Sequence, residues 1–119
     1  TIIADIDQVD TLIFFFFYSG VGGKTAQKMA EKLTKISKKR QIICITHLPQ
    51  IASMADYHFL INKKIESNHT YTTIDKLSHK RKREELARML GGVELTSTTL
   101  KHAEEMLEMA ENKKTGISN

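Results

Sequence analysis

Residues 11–18, Thr-Leu-Ile-Phe-Phe-Phe-Phe-Tyr, form an unbroken run with no charge and no alternation of polar with apolar side chains. Branched and ring side chains in that arrangement predict a strand buried on both faces, the environment of a parallel sheet. A glycine-rich turn follows at 19–23. Residues 24–37 repeat apolar side chains at helical spacing, with Ala26, Met29, Ala30, Leu33 and Ile36 on one stripe. After a basic turn at 38–40, Gln41-Ile-Ile-Cys-Ile-Thr46 predicts a second buried strand. Strand, turn, helix and strand in that order make a β-α-β unit, so the two strands are expected to be parallel.

The rest of the chain reads as flanking structure. His47-Leu48-Pro49-Gln50 opens a short helix through Met54, with Pro49 suited to a first helical turn. Residues 57–63 and 70–76 alternate roughly, so they predict a half-exposed antiparallel pair around a polar turn at 66–69. A helix is expected over 78–90, stopped by Gly91-Gly92. A second is expected over 96–112, with Leu100, Ala103, Met106, Leu107 and Ala110 facing inward. Residues 113–119 are expected to be a polar tail, and residues 1–112 a single domain.

Hydrophobic residues make up 40% and charged residues 27% of the 119, which excludes a wholly disordered chain. The net charge of +4 permits contact with phosphates without requiring it. Cys44 is the only cysteine, so no internal disulfide forms; inside an apolar run it is a core residue, and a reducing cytoplasm suits it. The longest apolar run is too short to span a bilayer, and the acidic N-terminal stretch is no signal peptide. The missing initiator Met points to excision from something longer.

Two readings are open for the glycine turn. Gly23-Lys24-Thr25 matches the end of the phosphate-binding pattern G-x-x-x-x-G-K-[ST], but Tyr18 stands where its first glycine belongs. The plain reading is a turn entering a helix, with Lys24 solvated. The segment Thr46-His47 follows the second strand. A polar side chain just past the C-terminal end of a parallel strand points to the crevice where open α/β sheets bind ligands, and an imidazole there can hydrogen-bond a phosphate or orient a water. The five histidines, His47, His58, His69, His79 and His102, lack metal-ligand spacing. Lys80, Arg81, Lys82 and Arg83 form a basic cluster at a helix start, read either as a solvated face or as a DNA or phosphate contact.

The string Cys44-Ile-Thr-His-Leu-Pro-Gln-Ile-Ala-Ser-Met-Ala-Asp56 resembles the switch-histidine segment of the RecN family of bacterial DNA repair proteins, which are ABC-type, SMC-like ATPases. Ala87-Arg-Met-Leu-Gly-Gly-Val-Glu94 and Thr99-Leu-Lys-His-Ala-Glu-Glu-Met-Leu107 resemble segments near that family's C-terminus. Thr11-Leu-Ile-Phe14 followed by Ser19-Gly-Val-x-Gly23 is similar to its Walker B strand and D-loop. The blocks keep the family's order from about Asp10 to Ala110. The resemblance implies that the glycine turn is a D-loop, comprising Tyr18, Ser19, Gly20, Val21 and Gly22, at a nucleotide and dimer interface. It also implies that His47 contacts the terminal phosphate of ATP. The family's Walker A, Q-loop and signature motifs lie upstream, beyond a coiled coil, so the expected fold is the C-terminal lobe of an ABC-type P-loop ATPase head.

One departure matters. The family carries an Asp-Glu pair directly after the Thr-Leu-Ile-Phe stretch, the Asp helping to hold magnesium and the Glu polarising water. Phe15 and Phe16 stand at those places here, then Phe17, with Tyr18 at the D-loop acid. The resemblance implies ATP and magnesium in the complete head, and neither cofactor nor hydrolysis by this chain alone. Its implied partners are the upstream lobe, a second identical head and, through the complete protein, DNA; no membrane is expected. A cytoplasmic, nucleoid-associated site follows from the family. The ring-rich strand end also predicts self-association of the isolated chain. Two rival readings are a non-catalytic protein–protein interaction module and an independent P-loop enzyme using Gly20 to Thr25.

Overall fold

The computed structural model describes residues 10–16, 22–91 and 94–116. It is α/β, with a parallel strand pair, an antiparallel pair and two C-terminal helices. Strand β1 (Thr11–Phe16) pairs in parallel with β2 (Gln41–Thr46), from Thr11 opposite Gln41 to Phe16 opposite Thr46. Helix α1 (Gly23–Ser37) makes the crossover, burying Ala26, Ala30, Leu33 and Thr34. The short helix α2 (Pro49–Ala52) follows, then the hairpin β3 (Phe59–Glu66) and β4 (His69–Lys76), then α3 (His79–Gly91) and α4 (Ser97–Gly116).

The expectation that β1 is buried on both faces is corrected. Leu12 and Phe16 are buried, but Ile13 is 56% and Phe15 57% exposed. The side chains of α1, α2 and α4 cover one face only: Ala30, Leu33, Ile51 and Ala110 close over Phe16, with Phe14, Ile42 and Cys44 packed alongside. The Phe14 and Phe16 rings stack with centroids 6.0 Å apart. On the opposite face Ile13 and Ile43 are exposed, with no cover among the described residues. Cys44 is the core thiol expected, and burial pushes its pKa up.

The hairpin turns through Ser67 and Asn68, both with positive φ, as a two-residue turn matching strand twist requires. Leu60, Asn62, Thr73 and Asp75 share its half-buried face, while Ile61, Ile65 and Ile74 lie on the exposed one.

A second core joins α3 to α4. Leu86 and Ala87 pack with Ala103, Leu107 and Ala52 of α2. Ser78 Oγ accepts the Arg81 N–H at 3.3 Å and caps α3. Thr96 and Thr99 exchange side-chain and backbone hydrogen bonds at 3.0 and 3.1 Å, a reciprocal cap that starts α4. Gly91 lets the two helices meet: a Cβ there would lie 2.5 Å from Thr99 Cγ2, and that side chain is held by its capping bonds.

Helix α4 also corrects the polar tail expected from residue 113. It continues to Gly116 because Lys113 Nζ reaches Glu31 Oε1 at 2.9 Å and Lys114 Nζ donates to Ala55 O at 3.1 Å. Both cations sit in the last turn, where they complement the helix dipole. Residues 117–119 lie outside the described set. Among the described residues no helix is long and apolar enough to cross a membrane.

Candidate functional site

The candidate site is the edge where the C-terminal ends of β1 and β2 meet the starts of α1 and α2. The parallel register sets Phe16 beside Thr46, so His47 is the next residue past the strand pair. Thr46 Oγ1 accepts the Leu48 N–H at 3.0 Å, which turns the chain at His47 and leaves that imidazole exposed. Leu48 O then accepts Ile51 N–H and Ala52 N–H, both at 3.1 Å, and Pro49 begins α2. On the other side of the edge, Gly22 O accepts the Ala26 N–H at 3.0 Å to start α1. A Cβ at Gly23 would lie 3.2 Å from Gln50 Nε2, so the Gln50 amide rests against the α1 start.

Chemically, this edge offers an exposed imidazole, a side-chain amide and a helix N-terminus with no acid in its first turn, a setting that favours an anion. In the sequence Gln50 is one residue of the Cys44–Asp56 string. Its position beside α1 depends on the tertiary approach of two helices, which spacing does not reveal. Of the expected D-loop, Gly22 is described; Tyr18, Ser19, Gly20 and Val21 lie outside the described residues, as does Phe17. Lys24 and Thr25 are exposed on the first turn of α1.

Phe15 and Phe16 have opposite environments. Phe16 is 8% exposed within the first core, whereas Phe15 is 57% exposed. Neither ring offers an oxygen or nitrogen donor, so this strand end does not fit a magnesium ion. Among the described residues, no three His, Cys, Asp or Glu side chains come together to hold a metal.

The basic cluster at the start of α3 does not form one surface. Four successive helical residues point around most of the circumference. Lys80 and Arg81 are exposed, but Arg83 pairs with Glu104 at 3.7 Å. Lys82 turns inward, and burial chiefly, with Lys114 nearby, lowers its pKa. Adjacency in sequence does not align side chains on a helix, whereas the three- and four-residue spacing of the lysines along α1 does.

His58 lies between the hairpin and α3. Its Nδ1 is buried without a hydrogen-bond partner among the described residues. Burial lowers its pKa below the usual 6.5, Lys82 acts in the same direction, and Glu85 opposes them. Below 6.5 the unfolded chain therefore binds the proton more readily than the folded one. Stability is complete above that pH and falls as pH drops through the window beneath it. Urea midpoints at about pH 7 and about pH 5 should differ in wild type, and the difference should shrink in His58→Leu. An undiminished difference in the variant would assign the effect to other groups.

No family model matches the chain. It is 43% identical over 115 residues to the DNA repair protein RecN of Bacillus subtilis, covering 97% of this chain and 20% of that protein. It is 44% identical over 110 residues to RecN of Halalkalibacterium halodurans, covering 92% and 20%. With RecN of Treponema pallidum it shares 39% identity over 116 residues, covering 98% and 20%. The chain thus spans about one fifth of the length of these relatives.

Proposed function

We propose, on the premise that this chain is homologous to a C-terminal segment of the RecN DNA repair proteins, that it forms one lobe of a RecN-like ATPase head acting in double-strand break repair and recombination. The observation that carries the proposal is the juxtaposition at the strand edge: His47 exposed just past β2, Gln50 against the α1 start, and Gly22 entering that helix. His47 donates a hydrogen bond to the terminal phosphate of ATP held by an upstream lobe. Gly22, entering α1, lies toward a second head, and nucleotide brings two heads together.

The open face that carries Ile13 and Ile43 seats the upstream lobe, because both side chains are apolar and exposed among the described residues. With phenyl rings at positions 15 and 16, these two positions supply neither a metal ligand nor a base, and the lobe does not hydrolyse ATP by itself. DNA is engaged by the complete protein.

A second reading, a self-associating module without a nucleotide role, draws on the same open face and on the missing carboxylates. Sedimentation of the chain reconstituted with a RecN upstream lobe separates the two. ATP-dependent head pairing that is lost in His47→Ala supports the first; pairing indifferent to ATP supports the second.

A further inference from the structure

Lys24, Lys28, Lys32 and Lys35 follow the helical repeat of α1 and fall within a sector of about 80°. All four are exposed. They lie nearly opposite the buried Ala26, Ala30 and Leu33, so the stripe faces away from the core. It runs about 17 Å along the helix axis, and Lys39 in the following turn extends it. None of these lysines has an ion-pair partner among the described residues. The acid beside them, Glu31, is taken by Lys113, whose hydrogen bond is the main cause of its lowered pKa.

The charge is concentrated as well as aligned. Residues 23–40 hold seven basic side chains against one acid, a net +6, whereas the whole chain is +4. The remainder is therefore net negative. Such segregation is unfavourable for the helix alone. Neighbouring lysines at i+3 and i+4 repel, and Lys24 opposes the dipole at the N-terminus. A merely solvated face would interleave acids, as α4 does with Glu104, Glu108 and Glu111 among its cations. An extended anion along α1 would remove the repulsion, and its charges must be spaced closely over at least the length of the stripe. Double-stranded DNA presents about ten phosphates in about 17 Å.

We propose that the lysine face of α1 is a sequence-independent docking surface for the phosphate backbone of duplex DNA. It displaces the start of α3 from that role, since Lys82 and Arg83 are engaged within the fold. The proposal takes DNA as the polyanion from the RecN reading but does not depend on the nucleotide role of His47. The two can fail separately: neutralising the stripe leaves ATP-dependent head pairing intact, and His47→Ala leaves DNA binding intact.

The test is fluorescence anisotropy of a labelled duplex with the 119-residue chain, between about 50 and about 200 mM salt. Wild type should lose about 100-fold in affinity over that range, as expected for four phosphate contacts. The triple variant Lys28→Gln, Lys32→Gln, Lys35→Gln should have a salt slope smaller by about 2.7. Circular dichroism should show its fold unchanged, because all three positions are exposed. The matching triple Lys→Arg variant should bind as wild type, and Lys80→Gln with Arg81→Gln should change the slope less than the stripe variant. A wild-type slope in the glutamine variant overturns the proposal. So does equal affinity for phosphatidylserine vesicles, which would make the surface a membrane contact, or salt-sensitive self-association without DNA binding, which would make it an interface between copies.

Discussion

Phe16→Glu should abolish the cooperative thermal transition of this chain, whereas Phe15→Asp at the neighbouring position should leave it nearly unchanged. The difference follows from strand geometry. Phe16 points into the core formed by Ala30, Leu33, Ile51 and Ala110 and stacks on Phe14. Removing the ring and placing a carboxyl there without a partner costs about 5 kcal/mol from lost packing and buried polarity together. That equals much or all of the stability of a small domain, about 5–15 kcal/mol. Phe15 is 57% exposed, and a carboxylate there reaches water, with an effect within about 1 kcal/mol. Differential scanning calorimetry of the two variants checks this, and equal losses would contradict the assigned faces.

Leu86→Ala should destabilise the chain by about 3 kcal/mol, the second large effect. Leu86 is fully buried, and three of the four other buried members of its cluster are alanines, Ala52, Ala87 and Ala103, which have no longer side chains to collapse into the space. The cavity therefore persists and adds to the transfer cost. Met109, exposed on the outer side of α4, is the control, and its truncation should cost less than about 0.5 kcal/mol. Urea denaturation measures both; a Leu86→Ala loss no larger than that of Met109→Ala would show that the α3–α4 contact is not a core.

Local chemistry made much of this fold readable beforehand. Two apolar runs flanking a helical repeat give the parallel β1–β2 pair, and the Leu100, Ala103, Leu107 and Ala110 stripe of α4 marks the face that packs. The features that were not readable depend on partners far away in the chain. An apolar run shows that the strand can be buried, but not which of its two faces the helices cover. The last turn of α4 has no apolar periodicity and is held by Lys113 reaching back to Glu31. In the site, the strand-to-helix turn at His47 was legible from Thr46-His47 following an apolar strand. The approach of Gln50 to α1 was not, because it is set by how two helices dock. The adjacent basic residues at 80–83 are splayed around α3 by the helical repeat, whereas the lysines of α1 are aligned by it.

The most direct test of the head-lobe account is sedimentation velocity of this chain reconstituted with a RecN upstream lobe, with and without ATP. The account predicts a complex that doubles in mass when ATP is added, with pairing at least about ten-fold weaker in His47→Ala, the loss expected for one hydrogen bond to a charged phosphate. It predicts no ATP binding by the 119-residue chain alone. Micromolar ATP binding by the isolated chain that disappears in Lys24→Ala, with no association with the upstream lobe, would contradict the account and point to an independent phosphate-binding loop.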